Sequence, residues 1–88
     1  MPVRDVTISN WSGLHARPAA QFAETARRFR SRVCVHKGNQ KVDGKSVYDM
    51  MLLSATAGTI LQLEAEGEDA EACLDALTAL IGEKFGEE

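Results

Sequence analysis

The sequence lacks the features that mark disulfide-rich secreted, membrane-spanning and metal-binding proteins. Only two of its 88 residues are cysteines, Cys34 and Cys73, and their spacing is neither a CxxC pair nor a zinc-ligand pattern. We therefore expect them to be small, buried or half-buried thiols. No apolar run approaches the roughly 20 residues of a membrane span, and residues 1–5 lack the apolar core of a signal peptide. These absences predict a cytoplasmic protein without membrane insertion.

Aromatic residues and histidines are also scarce. Aromatics make up 6% of the chain, and the two histidines, His15 and His36, have no third ligand in a metal-binding spacing. His36 falls on a predicted strand without an evident partner, so we expect a structural role for it. The length suits one domain over residues 1–88 and leaves little room for a pocket. The 44% hydrophobic content excludes a disordered chain.

Charge is unevenly distributed along the chain. Residues 1–45 carry nine basic and three acidic residues, whereas residues 46–88 carry one basic and ten acidic, so the halves differ in sign although the net charge is −3. This balance argues against general nucleic-acid binding, but the first half suits an anion or an acidic partner. We expect the acidic half to lie away from the functional surface.

Hydrophobic periodicity predicts an opening strand followed by a helix. Val6 and Ile8 alternate with polar residues, as in a half-buried strand. The period then changes to that of an amphipathic helix beginning at about Ala16, with His15 at or near the N-cap. Pro18 is compatible with the first turn of this helix and not with its interior. The predicted buried stripe comprises Ala19, Phe22, Ala23, Ala26 and Phe29.

The rest of the chain repeats this alternation. A strand over 31–37, a turn at 38–39 and a strand over 40–43 form a predicted hairpin. Ser46 is an N-cap candidate for a short helix, and Asp49 gives a weak capping-box match. A strand over 59–66 follows, and Asp69 is the N-cap candidate for the last helix. The predicted inward residues of this strand are Leu61, Leu63 and Ala65. Those of the last helix are Ala70, Cys73, Leu74, Leu77, Leu80 and Ile81. The order βαββαβα predicts an α+β fold with helices on one face of an antiparallel sheet.

The short helix after Ser46 contains more apolar side chains than two turns can bury. Some of Val47, Tyr48 and Met51 are therefore expected to be exposed. Exposed apolar groups often mark a contact surface.

One segment, Gly13–Ala20, carries residues suited to chemistry. A histidine immediately before a helix lies beside backbone N–H groups that the helix does not use and near the positive end of its dipole. Because Pro18 has no N–H, the nearest donors are the amides of Ala16 and Arg17, and Arg17 adds a permanent forked cation. An imidazole retains a nucleophilic nitrogen at neutral pH, so His15 suits the acceptance of a phosphoryl group. A solvated or helix-capping histidine is the alternative on these residues alone.

The segment Gly13-Leu14-His15-Ala16-Arg17-Pro18-Ala19 resembles the active-site signature of the HPr family, the histidine phosphocarriers of the bacterial phosphoenolpyruvate-dependent phosphotransferase system. The similarity covers essentially the whole chain and includes Lys45-Ser46-Val47, Ala57-Gly58-Thr59 and the segment 64–69. It implies an open-faced β-sandwich in which three helices cover one face of a four-stranded antiparallel sheet. It also implies a monomeric carrier that needs no cofactor and is a substrate of kinases, not an enzyme.

The resemblance assigns roles to individual residues. It implies that Nδ1 of His15 accepts a phosphoryl group from phosphorylated enzyme I and passes it to an enzyme IIA domain. Arg17 and the backbone amides of Ala16 and Arg17 would stabilise the phosphate. The implied docking surface for partners comprises Ala20, Gln21, Glu24, Arg27, Val47, Tyr48 and Met51.

Ser46 matches the serine that HPr kinase/phosphorylase modifies in many family members, although an N-cap role alone also accounts for it. Residues 47–49 depart from the apolar pattern of sugar-transport members, and residues 43–46 and 50–53 resemble the nitrogen-related branch of the family. The output is therefore either sugar uptake with carbon catabolite regulation or nitrogen-related regulation. A mainly regulatory protein that binds a transcriptional regulator through phosphoserine is the alternative. Relatives of that kind lack the histidine, so His15 favours a carrier. Trp11, in the loop before His15, either shields the imidazole or packs locally.

Overall fold

One antiparallel sheet organises the protein, in a computed structural model that describes residues 2–10 and 12–87. Its strands follow the order β1-β4-β2-β3. They are β1 Val3–Thr7, β2 Arg32–Lys37, β3 Gln40–Asp43 and β4 Ile60–Glu66. The helices are α1 Ala16–Arg27, α2 Val47–Leu52 and α3 Ala70–Gly82, followed by a 3₁₀ turn over Lys84–Gly86. The predicted order βαββαβα and the α+β fold class are confirmed.

The helices cover one face of the sheet. Leu61, Leu63 and Ala65 alternate along β4 and are fully buried, and Phe22 of α1 is buried in the same core. The intervening β4 residue Gln62 is exposed on the opposite face. This period-2 pattern, set by strand geometry, confirms the predicted inward residues of the strand. The stripe residues Phe29 and Leu80 are partly buried and pack against the core.

Strand β1 begins earlier in the chain than the sequence pattern predicts. Its ladder with β4 runs from the pair Val3 and Glu64 to the pair Thr7 and Ile60. Ile8, predicted to belong to the strand, follows it and is nevertheless buried. The N–H of Ile8 donates to the carbonyl of Thr59 over 2.9 Å, so the chain stays bonded to the neighbouring loop beyond the ladder.

The β2–β3 hairpin has the predicted two-residue turn and supports α2. Lys37 pairs with Gln40 across the turn. Nζ of Lys37 donates to the carbonyl of Leu53 over 2.7 Å at the C-terminal end of α2. A cation at this end satisfies a carbonyl that the helix leaves free and complements the helix dipole. The hairpin therefore fixes the end of the short helix.

Ser46 caps α2 as predicted, but the capping box is only half formed. Oγ of Ser46 accepts a hydrogen bond from the backbone N–H of Asp49 at 3.1 Å. The Asp49 carboxylate accepts from the N–H of Asp43 instead, also at 3.1 Å. The N–H of Ser46 donates to the carbonyl of Asp43, so it does not need the carboxylate.

Asp69 occupies the predicted N-cap position of α3 but its side chain does not cap the helix. The carboxylate accepts hydrogen bonds from the N–H groups of Arg30 and Ser31, each at 2.9 Å, and from the hydroxyl of Ser31. The carboxylate therefore bonds to the loop before β2 instead of to the first turn of α3. The predicted position is correct and the predicted capping bond is wrong.

Acidic residues of α3 hold the first strand. Nη2 of Arg4 lies 3.0 Å from Oε1 of Glu71 and 2.7 Å from Oδ1 of Asp75. These two acids are four residues apart and so share one face of the helix. Part of the acidic half of the chain therefore pairs with a basic residue of the first half.

Candidate functional site

His15 lies at the surface at the start of α1. It occupies the predicted N-cap position with extended backbone angles, and its side chain makes no capping hydrogen bond. The N–H of Ala19 donates to the carbonyl of His15 over 3.0 Å. The side chain is 44% exposed, so the imidazole ring is accessible from solvent.

Two backbone donors adjoin this histidine. Within residues 2–10 and 12–87, the N–H groups of Ala16 and Arg17 have no hydrogen-bond acceptor. Pro18, which has no N–H, is buried in the first turn. The start of α1 therefore offers two unused N–H groups to an anion, as predicted from the sequence.

The loop before His15 is anchored to the segment that follows α2. The N–H of Leu14 donates to the carbonyl of Ala55 over 2.8 Å. Gly13 has φ +69°, and a Cβ at this position would lie 2.5 Å from the same carbonyl oxygen. The close backbone approach and the positive φ both require glycine here. The position of His15 thus depends on a contact that only glycine permits.

A carboxylate from the far end of the sequence pairs with the imidazole. Oε2 of Glu87 lies 3.0 Å from Nε2 of His15. Oε1 of Glu87 accepts from Nδ2 of Asn10 at 3.0 Å, and the same amide nitrogen donates to the carbonyl of Gly13 over 2.8 Å. The hydrogen bond from Asn10, followed by that from His15, holds the pKa of Glu87 below its usual value. The acidic half was expected to lie largely away from the functional surface, and Glu87 is an exception because it reaches His15.

The turn after α3 explains this contact. Phe85, in the 3₁₀ turn, is buried, and both Phe85 and Gly86 have positive φ. Burial of one aromatic side chain reverses the chain and places Glu87 beside His15. The sequence signal for this turn is an isolated aromatic between glycines at 82 and 86, which the sequence analysis did not use. Glu87 and Asn10 are the two site residues that it missed.

Arg17 supplies the positive charge of the site. Its side chain is exposed and forms no ion pair within the part of the chain that the structure describes. The charge of the guanidinium is the smallest of the effects that lower the pKa of Glu87, after the hydrogen bond from Asn10 and the effects of His15. The site therefore combines a forked cation, two backbone donors and one anion.

The residues predicted to form a docking surface lie on α1 and α2 and differ in their exposure. Tyr48 is 71% and Met51 43% exposed, and Leu52, which the sequence analysis did not include, is 49% exposed. The Arg27 guanidinium Nε donates to the carbonyl of Lys45 over 2.9 Å, which joins α1 to the start of α2. Of the remaining residues, Glu24 and Arg27 are exposed, while Ala20, Gln21 and Val47 are half-buried.

The second histidine and the two cysteines lie within the strands and helices of the fold. His36 was expected to have no partner, but its Nε2 lies 2.9 Å from Oε1 of Glu64 on the open face of the sheet. This hydrogen bond lowers the pKa of Glu64. Cys34 is half-buried and Cys73 buried, both as free thiols. Trp11 lies outside the described residues.

A shallow cleft of about 480 Å³ lies apart from His15, along β2, β3 and the residues around the start of α2. It is lined by side chains of both signs, and none of the residues around His15 contributes to it. Among residues 2–10 and 12–87, no group of three His, Cys, Asp or Glu side chains could hold a metal ion. No helix in this part of the chain is long and apolar enough to cross a membrane.

Comparison with known proteins identifies the family of the chain. Residues 3–83 match the family described as the PTS HPr component phosphorylation site, so Glu87 lies beyond the match. The chain is 44% identical over 88 residues to phosphocarrier protein HPr of Pseudomonas aeruginosa, covering 99% of this chain and 98% of that protein. It is 43% identical over 84 residues to the HPr of Neisseria meningitidis serogroup A, covering 96% and 94%.

A solved structure is similar over the whole fold. The crystal structure of HPr-C-His from Thermoanaerobacter tengcongensis superimposes with a TM-score of 0.96 at 46% identity, covering 100% of this chain and 99% of that chain. The family match, the relatives and the solved structure all point to the same family. The chain belongs to the HPr family of phosphocarrier proteins of the phosphotransferase system.

Proposed function

We propose that the protein accepts a phosphoryl group on Nδ1 of His15 from phosphorylated enzyme I and passes it to an enzyme IIA domain. The observation that carries this proposal is the exposed imidazole beside the free N–H groups of Ala16 and Arg17 and the unpaired Arg17 guanidinium, within the described residues. The chain acts as a single domain over residues 1–88. A cytoplasmic location and a monomeric state belong to the same proposal.

The transfer exchanges one bond to phosphorus for another. The lone pair on Nδ1 of His15 attacks phosphorus while the bond between phosphorus and the donor atom of enzyme I breaks. The backbone N–H groups and the forked guanidinium of Arg17 stabilise the charge on the phosphate oxygens. Because the imidazole is exposed, the same bond can then be broken by an acceptor on enzyme IIA.

Partner docking uses the apolar area beside the histidine. Tyr48, Met51 and Leu52 present exposed apolar side chains, and Arg27 lies on the neighbouring helix. An apolar centre with cations at its edge suits an acidic partner and fast, weak association. The remaining members of the docking surface, Ala20, Gln21, Glu24 and Val47, complete the contact.

Ser46 is the proposed regulatory phosphorylation site for HPr kinase/phosphorylase. It lies immediately before Val47 and Tyr48 of the docking surface, and its Oγ accepts from the N–H of Asp49. A phosphate here places about two negative charges beside side chains that partners must contact. Modification would thus block docking while the fold stays intact, and would offer phosphoserine to a transcriptional regulator.

Incubation with enzyme I and phosphoenolpyruvate carrying labelled phosphate tests the carrier function. We expect one acid-labile label per chain in the wild type and none in His15→Ala. His36→Ala is the matched control, because it removes the other histidine, which pairs with Glu64 on the open face of the sheet. Label that persists in His15→Ala, or disappears in His36→Ala, would contradict the assignment.

The acceptor is identified by a second incubation. The similarity of residues 43–46 and 50–53 to the nitrogen-related branch makes the enzyme IIA of that branch the second candidate beside a sugar-specific one. The phosphorylated protein is mixed with each purified enzyme IIA, and loss of label from His15 is followed over time. Faster transfer to one acceptor assigns the branch. Loss of label to neither acceptor would contradict the proposed transfer to an enzyme IIA domain of these two branches.

A further inference from the structure

We propose that Glu87 is a positioning residue that holds His15 as the Nε2–H tautomer and thereby leaves the lone pair of Nδ1 free to accept phosphorus. The inference rests on the proposed function, since it concerns the same imidazole. Oε2 of Glu87 lies 3.0 Å from Nε2 of His15. Within residues 2–10 and 12–87, Nδ1 of His15 has no hydrogen-bond partner.

The chemistry of the two groups determines the tautomer. A carboxylate accepts hydrogen bonds and cannot donate one. Glu87 is ionised at neutral pH, because a glutamate carboxyl group ordinarily titrates at about pH 4 and the hydrogen bond from Asn10 lowers its pKa. A neutral imidazole carries a single N–H, so a bond to this carboxylate places the proton on Nε2. Nδ1 then keeps its lone pair, which is the atom that the proposed function requires.

Asn10 fixes the carboxylate in the orientation that this bond needs. Its side-chain nitrogen is 2.8 Å from the carbonyl of Gly13 and 3.0 Å from Oε1 of Glu87. Both partners are acceptors, so the amide nitrogen and not the amide oxygen must face them. Asn10 is fully buried, and the Glu87 side chain is 19% exposed. Oε1 is therefore held by a buried donor, which leaves Oε2 for His15.

The proton on Nε2 does not move during the proposed transfer. When Nδ1 bonds to phosphorus, the ring retains its Nε2–H and becomes a cation that faces the Glu87 carboxylate. When the bond between Nδ1 and phosphorus breaks, the neutral Nε2–H imidazole is restored. Glu87 thus stabilises the charged ring in the loaded state without acting as a base.

The substitution Glu87→Gln gives the sharpest test. Asn10 is held by the Gly13 carbonyl, so it continues to donate to the oxygen of residue 87. The new amide nitrogen would then face Nε2 of His15 and donate to it, which moves the ring proton to Nδ1. Glu87→Ala removes the preference for the Nε2–H tautomer without introducing a preference for the Nδ1–H tautomer. The matched control is Glu83→Gln, an exposed carboxylate of the same segment without a side-chain hydrogen bond in the described part of the chain.

Two readouts are compared across these variants. The ¹⁵N chemical shifts of His15 above about pH 8, where imidazole is neutral, report the tautomer in the absence of any partner. The rate of labelling by enzyme I reports function. We expect the Nε2–H form in the wild type and Glu83→Gln, a mixture in Glu87→Ala and the Nδ1–H form in Glu87→Gln. Labelling should slow about tenfold in Glu87→Gln, and less in Glu87→Ala, because a charge-assisted hydrogen bond is lost or reversed.

Each other result overturns the proposal. An unchanged tautomer in Glu87→Gln shows that the carboxylate does not set it. A changed tautomer with an unchanged labelling rate shows that the tautomer does not affect phosphoryl transfer. Faster labelling in both variants shows that Glu87 obstructs the site. The NMR readout needs no enzyme I, so it distinguishes failure of this proposal from failure of the carrier function, which is judged on His15→Ala.

Discussion

Asp69 and Ser31 join the start of α3 to the start of β2. One oxygen of the Asp69 carboxylate accepts from both the N–H and the hydroxyl of Ser31, and the other accepts from the N–H of Arg30. These bonds, the one from the Ser31 hydroxyl foremost, lower the pKa of Asp69. A carboxylate that is stabilised in its charged form by the fold makes folding depend on pH.

Acidification should therefore weaken the fold through Asp69. Because the folded-state pKa lies below the unfolded value of about 4, its contribution is present above that value and is lost as the pH falls through the lowered pKa. In Asp69→Asn we expect the free energy of unfolding in urea to be lower at neutral pH and to change less between about pH 4 and pH 2. Asp5→Asn, which alters an exposed carboxylate of β1, is the control. An unchanged pH slope in Asp69→Asn would contradict the assignment.

Gly13→Ala should destabilise the loop that carries His15. The new Cβ would lie 2.5 Å from the Ala55 carbonyl oxygen and 2.9 Å from Cα of Thr56, at a φ of +69°. Gly38→Ala is a matched control, since its φ is +56° and no atom lies within 4 Å of the added Cβ. Backbone strain alone costs about 1 kcal/mol, and the steric clash should add about 1–3 kcal/mol in Gly13→Ala. Equal free energies of unfolding for the two variants would show that the close approach is unimportant.

The two thiols should react at very different rates. Cys73 is buried in α3, and burial raises the pKa of its thiol, whereas Cys34 is half-buried on β2. Because the thiolate is the reactive form, a maleimide should label Cys34 in the native protein and Cys73 only after unfolding. The variants Cys34→Ser and Cys73→Ser assign each phase of labelling. Native labelling of Cys34→Ser at the rate of Cys73→Ser would contradict this expectation.

Local sequence patterns predicted most of the fold. The start of α1 follows from the position of Pro18 and the spacing of apolar residues, and the β2–β3 turn follows from Gly38-Asn39. Ser46 was predicted as a cap for the same reason, since its bond to the N–H of Asp49 spans three residues. Each of these features depends on interactions between near neighbours in the chain.

Side-chain pairs between distant segments were not predictable in this way. The pair His15 and Glu87 spans 72 residues, and the pair His36 and Glu64 spans 28. Periodicity indicates which face a residue occupies but not which distant side chain it meets. Asp69 shows the same limit, because its partner Ser31 lies 38 positions away and takes the carboxylate that a local rule assigns to the helix. The cation and the amide groups of the site lie next to His15 in the sequence and were predicted. The anion comes from a distant segment and was not.

Arg17 should act on the phosphate and not on the fold. Its side chain is exposed and forms no ion pair in the described segments, so Arg17→Lys and Arg17→Ala should unfold at the same urea concentration as the wild type. Labelling of His15 by enzyme I should slow by about tenfold in Arg17→Ala, and less in Arg17→Lys, which keeps the charge but loses the forked geometry. Arg28→Ala removes an exposed cation at the opposite end of α1 as the control. Equal losses in Arg17→Ala and Arg28→Ala would indicate a general effect of charge on docking.

A negative charge at position 46 should weaken partner docking without unfolding α2. Oγ of Ser46 accepts from the N–H of Asp49, so Ser46→Ala should lose about 1 kcal/mol of stability. Asp and Asn both cap helices well, so Ser46→Asp and Ser46→Asn should keep most of it, and they differ from each other mainly in charge. Because position 46 adjoins the exposed Tyr48, we expect KM with enzyme I to rise in Ser46→Asp and to stay near the wild-type value in Ser46→Asn. Equal KM values for these two variants would refute regulation by charge, and a rise in both would indicate a steric effect.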